Sequence, residues 1–435
     1  MSTIPQVAES IRTVLEQAAK QAGETTGFIE REREFDGATF AQTLVFSWLG
    51  NPAATLEEMS QVAGLLGVEV SRQGIAKRFT SKAAELMYEV LQAAVRQAVS
   101  ATQAEFEILE RFKGVYLLDS SIVQLPDELL PVWQGSGGGR TGQQNAGVKL
   151  SLRWNWQTGE LHGPELQAAR RHDQSAQMAD PQGPPGSLHI ADLGYFHLAR
   201  FAQLDRQGAY WLSRYKAGTQ VYGPANTRLD LPVFLQTQRA DQLDQAVCLG
   251  ADRSVACRLV AQRLPDEVAA QRRARLEQEA HREGQTLSQA RWILAGWMIL
   301  LTNIPPTWLS SDQLFVIYRV RWQIELLFKL WKSEGLLDQW RTANPWRILC
   351  EFYAKLVALL LQHWLLITGC WHRPARSLFQ ACRVVRHFAW ALALTLPVEP
   401  LFHLFLAAIH HCLSSGVRIS KQQTQPPTFQ RLLAA

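Results

Sequence analysis

Four residues in the last third of the chain have types and spacing suited to chemistry on an anionic substrate. The stretch YRVRWQIELLFKLWK contains Tyr318, Arg321, Glu325 and Lys332. Two, three and six residues lie between successive members of this set. On a helix that turns about 100° per residue, all four lie within roughly 60° of one another. With a rise of about 1.5 Å per residue, Lys332 lies roughly 10 Å beyond Glu325. An extended anion can reach all four groups, whereas one small ligand cannot.

The same stretch also carries apolar residues at a helical period. They fall between about 180° and 280° on the helical wheel and are Val320, Ile324, Leu327, Phe328 and Trp331. The pattern predicts one amphipathic helix over 318–332, with a buried apolar face and a separate polar face. A solvated charged face is the simplest alternative. The charged residues adjoin the apolar ones and alternate with them, which favours a binding face.

Two buried strands are each predicted to end in an aspartate. RFKGVYLLDS gives a strand over 115–118 before Asp119, and SLHIADLGYF gives a second strand before Asp192. Side chains at strand carboxyl ends leave the core and remain rigidly held, so functional sites gather there. If Glu325 joined the two aspartates, three carboxylates would repel one another unless a cation lay between them.

An oxygen-rich site of this kind suits Mg²⁺ or Mn²⁺ rather than zinc. Two such ions about 4 Å apart can activate a water or hydroxyl and stabilise the leaving oxygen in phosphodiester displacement. The alternative is that Asp119 and Asp192 only cap turns at strand ends, as aspartate often does.

The size and charge of the chain are those of an ordinary globular protein. Its 435 residues suffice for two or three domains, and a formal charge of +5 favours an acidic partner only mildly. Six scattered cysteines form no C-x-x-C pair, which argues against a zinc site or a disulfide framework. The amphipathic start lacks a signal-peptide core, and the apolar run 356–367 is too short to span a membrane. We expect a cytoplasmic protein with no membrane partner, and a buried helix over 356–367.

Residues 1–105 predict a helical domain with a candidate DNA-binding element. Thr55 and Glu58 form a capping box before a first helix, and Ser71 caps a second, RQGIAKRF. The second helix carries polar side chains at Arg72, Gln73, Lys77 and Arg78. A helix-turn-helix that reads a major groove fits this pattern. A small helical bundle with exposed basic residues fits it equally well.

Residues 106–216 predict the first part of a strand-based core. GVKLSLRWNW and ELHGPELQAA form a hairpin that turns at Thr158 and Gly159. The loop 137–144, GGGRTGQQ, lacks the ending and the context of a phosphate-binding loop. QGAYWLSRYKAG supplies a further strand that ends near Arg214 and Lys216.

Three further regions complete the predicted organisation. Residues 217–290 combine short apolar runs with a charged helix around 271–283, and form a β-rich insertion. Residues 291–342 return to the core with a strand over 292–302 and the helix 318–332. Residues 343–435 predict apolar helices that could serve oligomerisation. The predicted class is α/β: a mixed sheet flanked by helices, with a β-rich insertion and helical N- and C-terminal regions.

The spacing of the four polar residues on the predicted helix resembles the Tyr-Arg-Glu-Lys signature of the insertion-sequence-four family of DDE transposases. Asp192-Leu193-Gly194-Tyr195 is similar to the second-aspartate motif of that family, and LLDSSIVQLP is similar to the segment around its first aspartate. LLTNIP before the helix also fits. The resemblance covers nearly the whole chain, and no signature position departs from it.

This resemblance implies an RNase H-like core in which Asp119, Asp192 and Glu325 are catalytic and hold two divalent ions, Mg²⁺ or Mn²⁺. It implies hydrolysis at transposon ends, followed by attack of the freed 3′-hydroxyl on target DNA. The partner is then double-stranded DNA, with a dimer in the synaptic complex. The residues themselves suggest matching roles. Arg321 and Lys332 would neutralise phosphates, and Tyr318 would hydrogen-bond to one.

Further residues have alternative interpretations. By position in the family, Trp297 would stack on a flipped base; a core tryptophan on a strand is the alternative. Arg214 and Lys216 could contact the DNA backbone. Structural or surface roles, rather than metal binding, are predicted for His172, Asp173, His410 and His411. Two other functions remain open: a metal-dependent nuclease without strand transfer, and a non-catalytic DNA-binding protein derived from a transposase.

Overall fold

The structure, a computed structural model, describes residues 4–29, 35–103, 106–135, 145–180, 182–371, 373, 376–416 and 428–435. The predicted loop 137–144 lies outside these residues. The chain divides into two compact units, each assembled from three segments. The first contains Met1–Glu105, Ser120–Arg171 and Gln323–Gln430, and the second contains Phe106–Asp119, His172–Trp322 and Arg431–Ala435.

Helices dominate both ends of the chain. In chain order they are α1 Ile4–Arg12, α2 Ala19–Thr25, α3 Gly37–Gly50, α4 Leu56–Leu65, α5 Arg72–Arg78, α6 Ser81–Val95, α7 Leu198–Arg206, α8 Leu231–Thr237, α9 Asp266–Arg282, α10 Gln289–Leu294, α11 Ser311–Tyr318, α12 Trp322–Gly335, α13 Pro345–Cys370, α14 Leu378–His387, α15 Ala389–Thr395, α16 Glu399–Gly416 and α17 Thr428–Leu433. A π-helical segment, Thr13–Ala18, joins the first two. The predicted helical N- and C-terminal regions are confirmed.

The strands occupy the middle of the chain. They are β1 Val115–Leu125, β2 Ala146–Asn155, β3 Leu161–Ala168, β4 Leu188–Ala191, β5 Tyr210–Arg214, β6 Val221–Tyr222, β7 Arg228–Leu229, β8 Gln242–Leu249, β9 Val255–Arg263 and β10 Trp297–Thr302. Strand β1 contributes to both units, because its residues up to Asp119 belong to the second unit and those from Ser120 belong to the first.

The strands form a mixed sheet. In the first unit the order is β3-β2-β1, and in the second it is β1-β4-β5-β10-β9-β8-β6-β7. Strands β2 and β3 pair antiparallel, whereas β4 is parallel to both β1 and β5. Adjacent strands β3, β2 and β1, followed by two strands parallel to β1, give the RNase H-like order. The predicted α/β class with flanking helices is therefore confirmed.

The region predicted as a β-rich insertion, 217–290, contributes strands to this sheet. Strands β8 and β9 pair antiparallel along eight positions, and β9 pairs with β10. Its charged helix, predicted around 271–283, begins earlier and spans Asp266–Arg282. The strands of this region are thus added to the sheet beyond β10. The predicted boundaries of the insertion remain predictions.

Local signals explain several helix boundaries. Thr55 and Glu58 form the predicted capping box at the start of α4, and Ser71 accepts a hydrogen bond from the backbone of Gly74 at the start of α5. Helix α4 is followed by Gly67 at φ +79°, a left-handed conformation that favours glycine. The helix-turn-helix interpretation of α4 and α5 remains a prediction.

Helix α13 lies at the core of the first unit. It includes the predicted buried helix 356–367. Every residue of that range is buried. By length and composition α13 could cross a bilayer, but its most apolar window is 100% buried inside the protein. The prediction of a buried helix is confirmed.

The predicted strand over 292–302 is only partly correct. Residues Gln289–Leu294 form α10, and the strand begins at Trp297. The Ser288 hydroxyl caps α10 by accepting a hydrogen bond from the Arg291 backbone N–H. An apolar run alone does not distinguish a short helix from a strand, and here the capping serine starts a helix.

Candidate active site

The two predicted aspartates lie side by side in the second unit. Strands β1 and β4 pair in parallel, with Leu118 opposite Ala191, so Asp119 and Asp192 each follow the last paired residue. Because neighbouring strands are about 4.8 Å apart, the two Cα atoms are separated by about 5 Å. Opposite residues direct their side chains to the same face of a sheet. The structure therefore brings these two carboxylates to one place.

An arginine continues this row across the sheet. Strand β5 pairs in parallel with β4, with Leu212 opposite Ile190. Two residues beyond this pair, Arg214 ends β5 and Asp192 directly follows β4, so the two lie at about the same level and on the same face. The row Asp119, Asp192, Arg214 places a cation about 10 Å from the first aspartate. Lys216, two residues on, is exposed.

The signature tyrosine and arginine also contact this site. The Arg321 Nη1 atom lies 3.6 Å from Oδ1 of Asp192, and its guanidinium lies 5.8 Å from the centre of the Tyr318 ring. Tyr318 is only 5% exposed. Burial raises the pKa of Tyr318 to about 12, although Arg321 and Arg214 oppose the rise. The hydroxyl is therefore protonated at neutral pH and can donate a hydrogen bond.

The backbone between these residues differs from the predicted single helix over 318–332. Helix α11 ends at Tyr318, a 3₁₀ turn spans Arg319–Arg321, and α12 begins at Trp322. A 3₁₀ turn has about 3.0 residues per turn, so the angles calculated for a continuous α-helix do not hold there. The predicted apolar face is nevertheless buried, with exposed fractions of at most 6% for Val320, Ile324, Leu327, Phe328 and Trp331.

Two signature residues belong to the first unit. The Lys332 Nζ atom donates a hydrogen bond of 2.8 Å to the Ile122 carbonyl on β1. Glu325 lies in the first turn of α12 and is half-buried. Among the residues that the structure describes, no group of three or more His, Cys, Asp or Glu side chains is arranged to hold a metal ion. The convergence of Glu325 with the aspartate pair stays a prediction.

Trp297, the predicted base-stacking residue, is 4% exposed and belongs to the core of the second unit. The Arg263 guanidinium covers its ring, with 4.5 Å between Cζ and the ring centre. A base could stack there only after Arg263 moved. The structural alternative accounts for this tryptophan without any movement, and base stacking on Trp297 remains a prediction.

The structure also places Asp173 beside the second-aspartate motif, which the sequence did not predict. A Cβ atom built on Gly194 would lie 2.5 Å from the Asp173 carboxylate, so a larger residue there requires this carboxylate to shift. Gln174 donates hydrogen bonds of 3.4 Å to the carbonyls of Gly194 and Phe196. His172 directly precedes the 3₁₀ turn Asp173–Ser175. His410 and His411 lie on α16 of the first unit. No sequence spacing links 172–175 to 192–196.

Comparison with known proteins shows the family of this chain. The family described as Transposase DDE domain matches residues 110–361, which is more than half of the chain. The matched range includes the aspartate pair and all four signature residues. The chain therefore belongs to the DDE transposases, and its signature places it in the insertion-sequence-four group.

Individual relatives match over most of their length. The transposase for insertion sequence element IS231F of Bacillus thuringiensis subsp. israelensis is 29% identical over 82% of this chain and 79% of its own. That for IS1151 of Clostridium perfringens is 23% identical over 79% of this chain and 76% of its own. That for IS421 of Escherichia coli is 27% identical over 80% of this chain and 89% of its own.

Proposed function

We propose that this protein is the transposase of a bacterial insertion sequence, which cuts DNA at the ends of the element and joins them to target DNA. The observation that carries the proposal is the row of Asp119, Asp192 and Arg214, with Arg321 in contact with Asp192. Membership of the DDE transposase family supports DNA cleavage followed by strand transfer. The protein would act in the cytoplasm, where the DNA lies.

The DDE transposase family depends on divalent metal ions. Two partly exposed carboxylates at one level of adjacent strands form an oxygen-rich donor set that fits Mg²⁺ or Mn²⁺. In our proposal Asp119, Asp192 and Glu325 hold two such ions. When bound, the ions supply an activated water or hydroxyl and stabilise the leaving oxygen of the phosphodiester.

The remaining polar residues would hold the DNA strand. Arg321 is only 13% exposed and presents a rigid fork of donors that matches phosphate geometry. The buried Tyr318 hydroxyl, protonated at neutral pH, would donate to a phosphate oxygen. Lys332 is tied to the Ile122 carbonyl by one of its three N–H groups, which leaves two to contact a phosphate.

The first test replaces the carboxylate that α12 contributes. Glu325→Gln should keep metal-free binding to the ends of the element but abolish Mg²⁺-dependent nicking, because the amide cannot balance a cation's charge. Glu9→Gln is the matched control, since Glu9 is exposed on α1. The measurement is nicking of a supercoiled plasmid that carries the DNA bordering the gene. Retained nicking in Glu325→Gln would remove this residue from the catalytic site.

A second measurement separates a transposase from a nuclease on the same fold. A joined product between the cut end and a target plasmid would exclude the nuclease. Metal-independent binding with no cleavage under any divalent ion would instead support a non-catalytic DNA-binding protein. Because two ends must meet before both join one target, our proposal includes a dimer in the DNA complex. Its direct check is the mass of the complex formed with end DNA.

A further inference from the structure

Helix α9 places one arginine against the strand that borders the candidate active site. The Arg272 Nη1 atom donates a hydrogen bond of 3.3 Å to the Trp297 carbonyl, and Nη2 lies 3.9 Å from the Met298 sulfur. Both acceptors belong to β10. A guanidinium has five N–H donors in a planar fork, so these contacts fix its position and leave donors unused.

The same face of the sheet carries Arg214. Leu300 is opposite Arg214 in the pairing of β10 with β5, and Met298 is two residues from Leu300. Met298, Leu300 and Arg214 therefore share one face, because side chains alternate along a strand. Arg272 contacts that face at Met298. It thus lies at the end of the row that begins with Asp119 and Asp192.

The charge of Arg214 reaches Arg272 at this place. Among the described residues, no ion pair includes Arg272 or Arg214. Burial lowers the pKa of Arg272, and the charge of Arg214 lowers it further. Arginine keeps its proton despite such shifts, so two neighbouring guanidiniums remain charged. An anion between them would relieve their repulsion.

We propose that Arg272 and Arg214 together bind one phosphate of the DNA strand that runs to the aspartate pair. The ligand is a phosphodiester, because the row from Asp119 to Arg214 spans about 10 Å and suits a continuous strand rather than a separate small anion. Charge and geometry assign this role to α9, which lies in the region 217–290. The inference rests on the proposed function, since it takes DNA as the substrate.

A purely structural role for Arg272 is the competing explanation. One hydrogen bond to a strand-end carbonyl can hold α9 against β10 without any ligand. The two roles differ in their response to salt. A residue that binds a phosphate changes the salt dependence of DNA affinity, because each neutralised phosphate releases condensed counterions. A residue that only supports the fold changes stability and leaves that dependence unaltered.

The test measures binding of the full-length protein to end DNA at several salt concentrations, with EDTA present so that no cleavage occurs. Arg272→Gln should weaken binding about tenfold and reduce the slope of log K against log salt by about 0.9. Arg272→Lys should keep most of the slope, because the charge remains. Arg275→Gln is the matched control: Arg275 is exposed on the same helix, and its loss should change neither quantity.

The outcomes separate this inference from the proposed function. If the wild-type protein nicks DNA with Mg²⁺ and Arg272→Gln binds with an unchanged slope, the phosphate contact is wrong and the transposase assignment stands. If the wild-type protein neither binds nor nicks end DNA, the proposed function itself fails. A change in melting temperature for Arg272→Gln with normal DNA binding would assign the residue to structure alone.

Discussion

The Tyr318 hydroxyl is buried without a well-formed hydrogen bond to another described residue. The Arg321 guanidinium lies beside it and opposes the rise of its pKa. A buried unpaired hydroxyl costs about 1–3 kcal/mol relative to a satisfied one, so its retention is better explained by a ligand than by folding. The neighbouring guanidinium of Arg321 makes an anionic ligand the natural partner.

Tyr318→Phe tests this directly. Removal of an unsatisfied polar group should leave the free energy of unfolding unchanged or slightly higher, whereas DNA nicking should fall about tenfold through the lost phosphate contact. Urea unfolding and plasmid nicking measure the two effects on the same preparation. A variant that loses stability without losing nicking would show that the hydroxyl has a structural role.

Gly194 offers a second test at the scale of single residues. Gly194→Ala would place a methyl group against the Asp173 carboxylate and require this side chain or the turn that follows Asp192 to shift. If the turn shifts, nicking should fall about tenfold. Asp173→Ala in the same chain opens that space and should restore part of the activity. If the double variant is no better than the single one, the close approach is not what requires glycine.

At the scale of elements, the apolar face of the segment 318–335 predicts its buried side correctly, but not its exact backbone. Val320 and Ile324 are completely buried, as their period requires. The 3₁₀ turn at Arg319–Arg321 cannot be predicted from the spacing of the apolar residues, because an α-helix and a 3₁₀ turn bury the same residues here. Burial could therefore be predicted from residue type, whereas the local tightening could not.

Substitutions on opposite sides of α12 test this packing. Ile324→Ala should lower the free energy of unfolding by about 2–5 kcal/mol, because it removes a fully buried side chain from a packed core. Trp322→Ala, at a position 54% exposed, should cost much less. Urea titrations of both variants give the comparison. Equal losses of unfolding free energy in the two variants would mean that Trp322 is packed in solution and not exposed.

At the scale of the whole molecule, the site depends on pairings that sequence pattern does not contain. The sequence predicts the two aspartates because each ends an apolar run, but their adjacency follows from the register of β1 against β4. The same holds for Arg272, whose charged helix gave no sign of which strand it would contact. Strand and helix types are local properties, whereas register is fixed by the complete fold.

Buried histidine should make stability depend on pH. Burial lowers the pKa of His363 to about 4, and its Nε2 atom lies 2.6 Å from the Gly159 carbonyl. The unfolded chain has a histidine pKa of about 6.5, so it binds the proton more strongly than the folded state between these values. Stability present above pH 6.5 is then lost as the pH falls toward 4.

We expect His363 to account for about 2 kcal/mol of lost stability between neutral pH and about pH 5. His162, whose pKa burial also lowers to about 4, adds to the effect. Urea unfolding at the two pH values should therefore show a smaller change for His363→Gln than for the wild-type protein. An identical change in both would contradict the assignment to His363.

The passage of β1 from one unit to the other has a consequence for synthesis on the ribosome. The first unit needs residues from 1–105, 120–171 and 323–430, so it cannot close until residues up to about 430 have been synthesised. At bacterial rates of about 5–20 residues per second, that takes roughly 20–90 s. A chain that stops before residue 322 lacks α12 and with it Glu325. If Glu325 holds a metal ion, as we propose, such a chain should have no cutting activity.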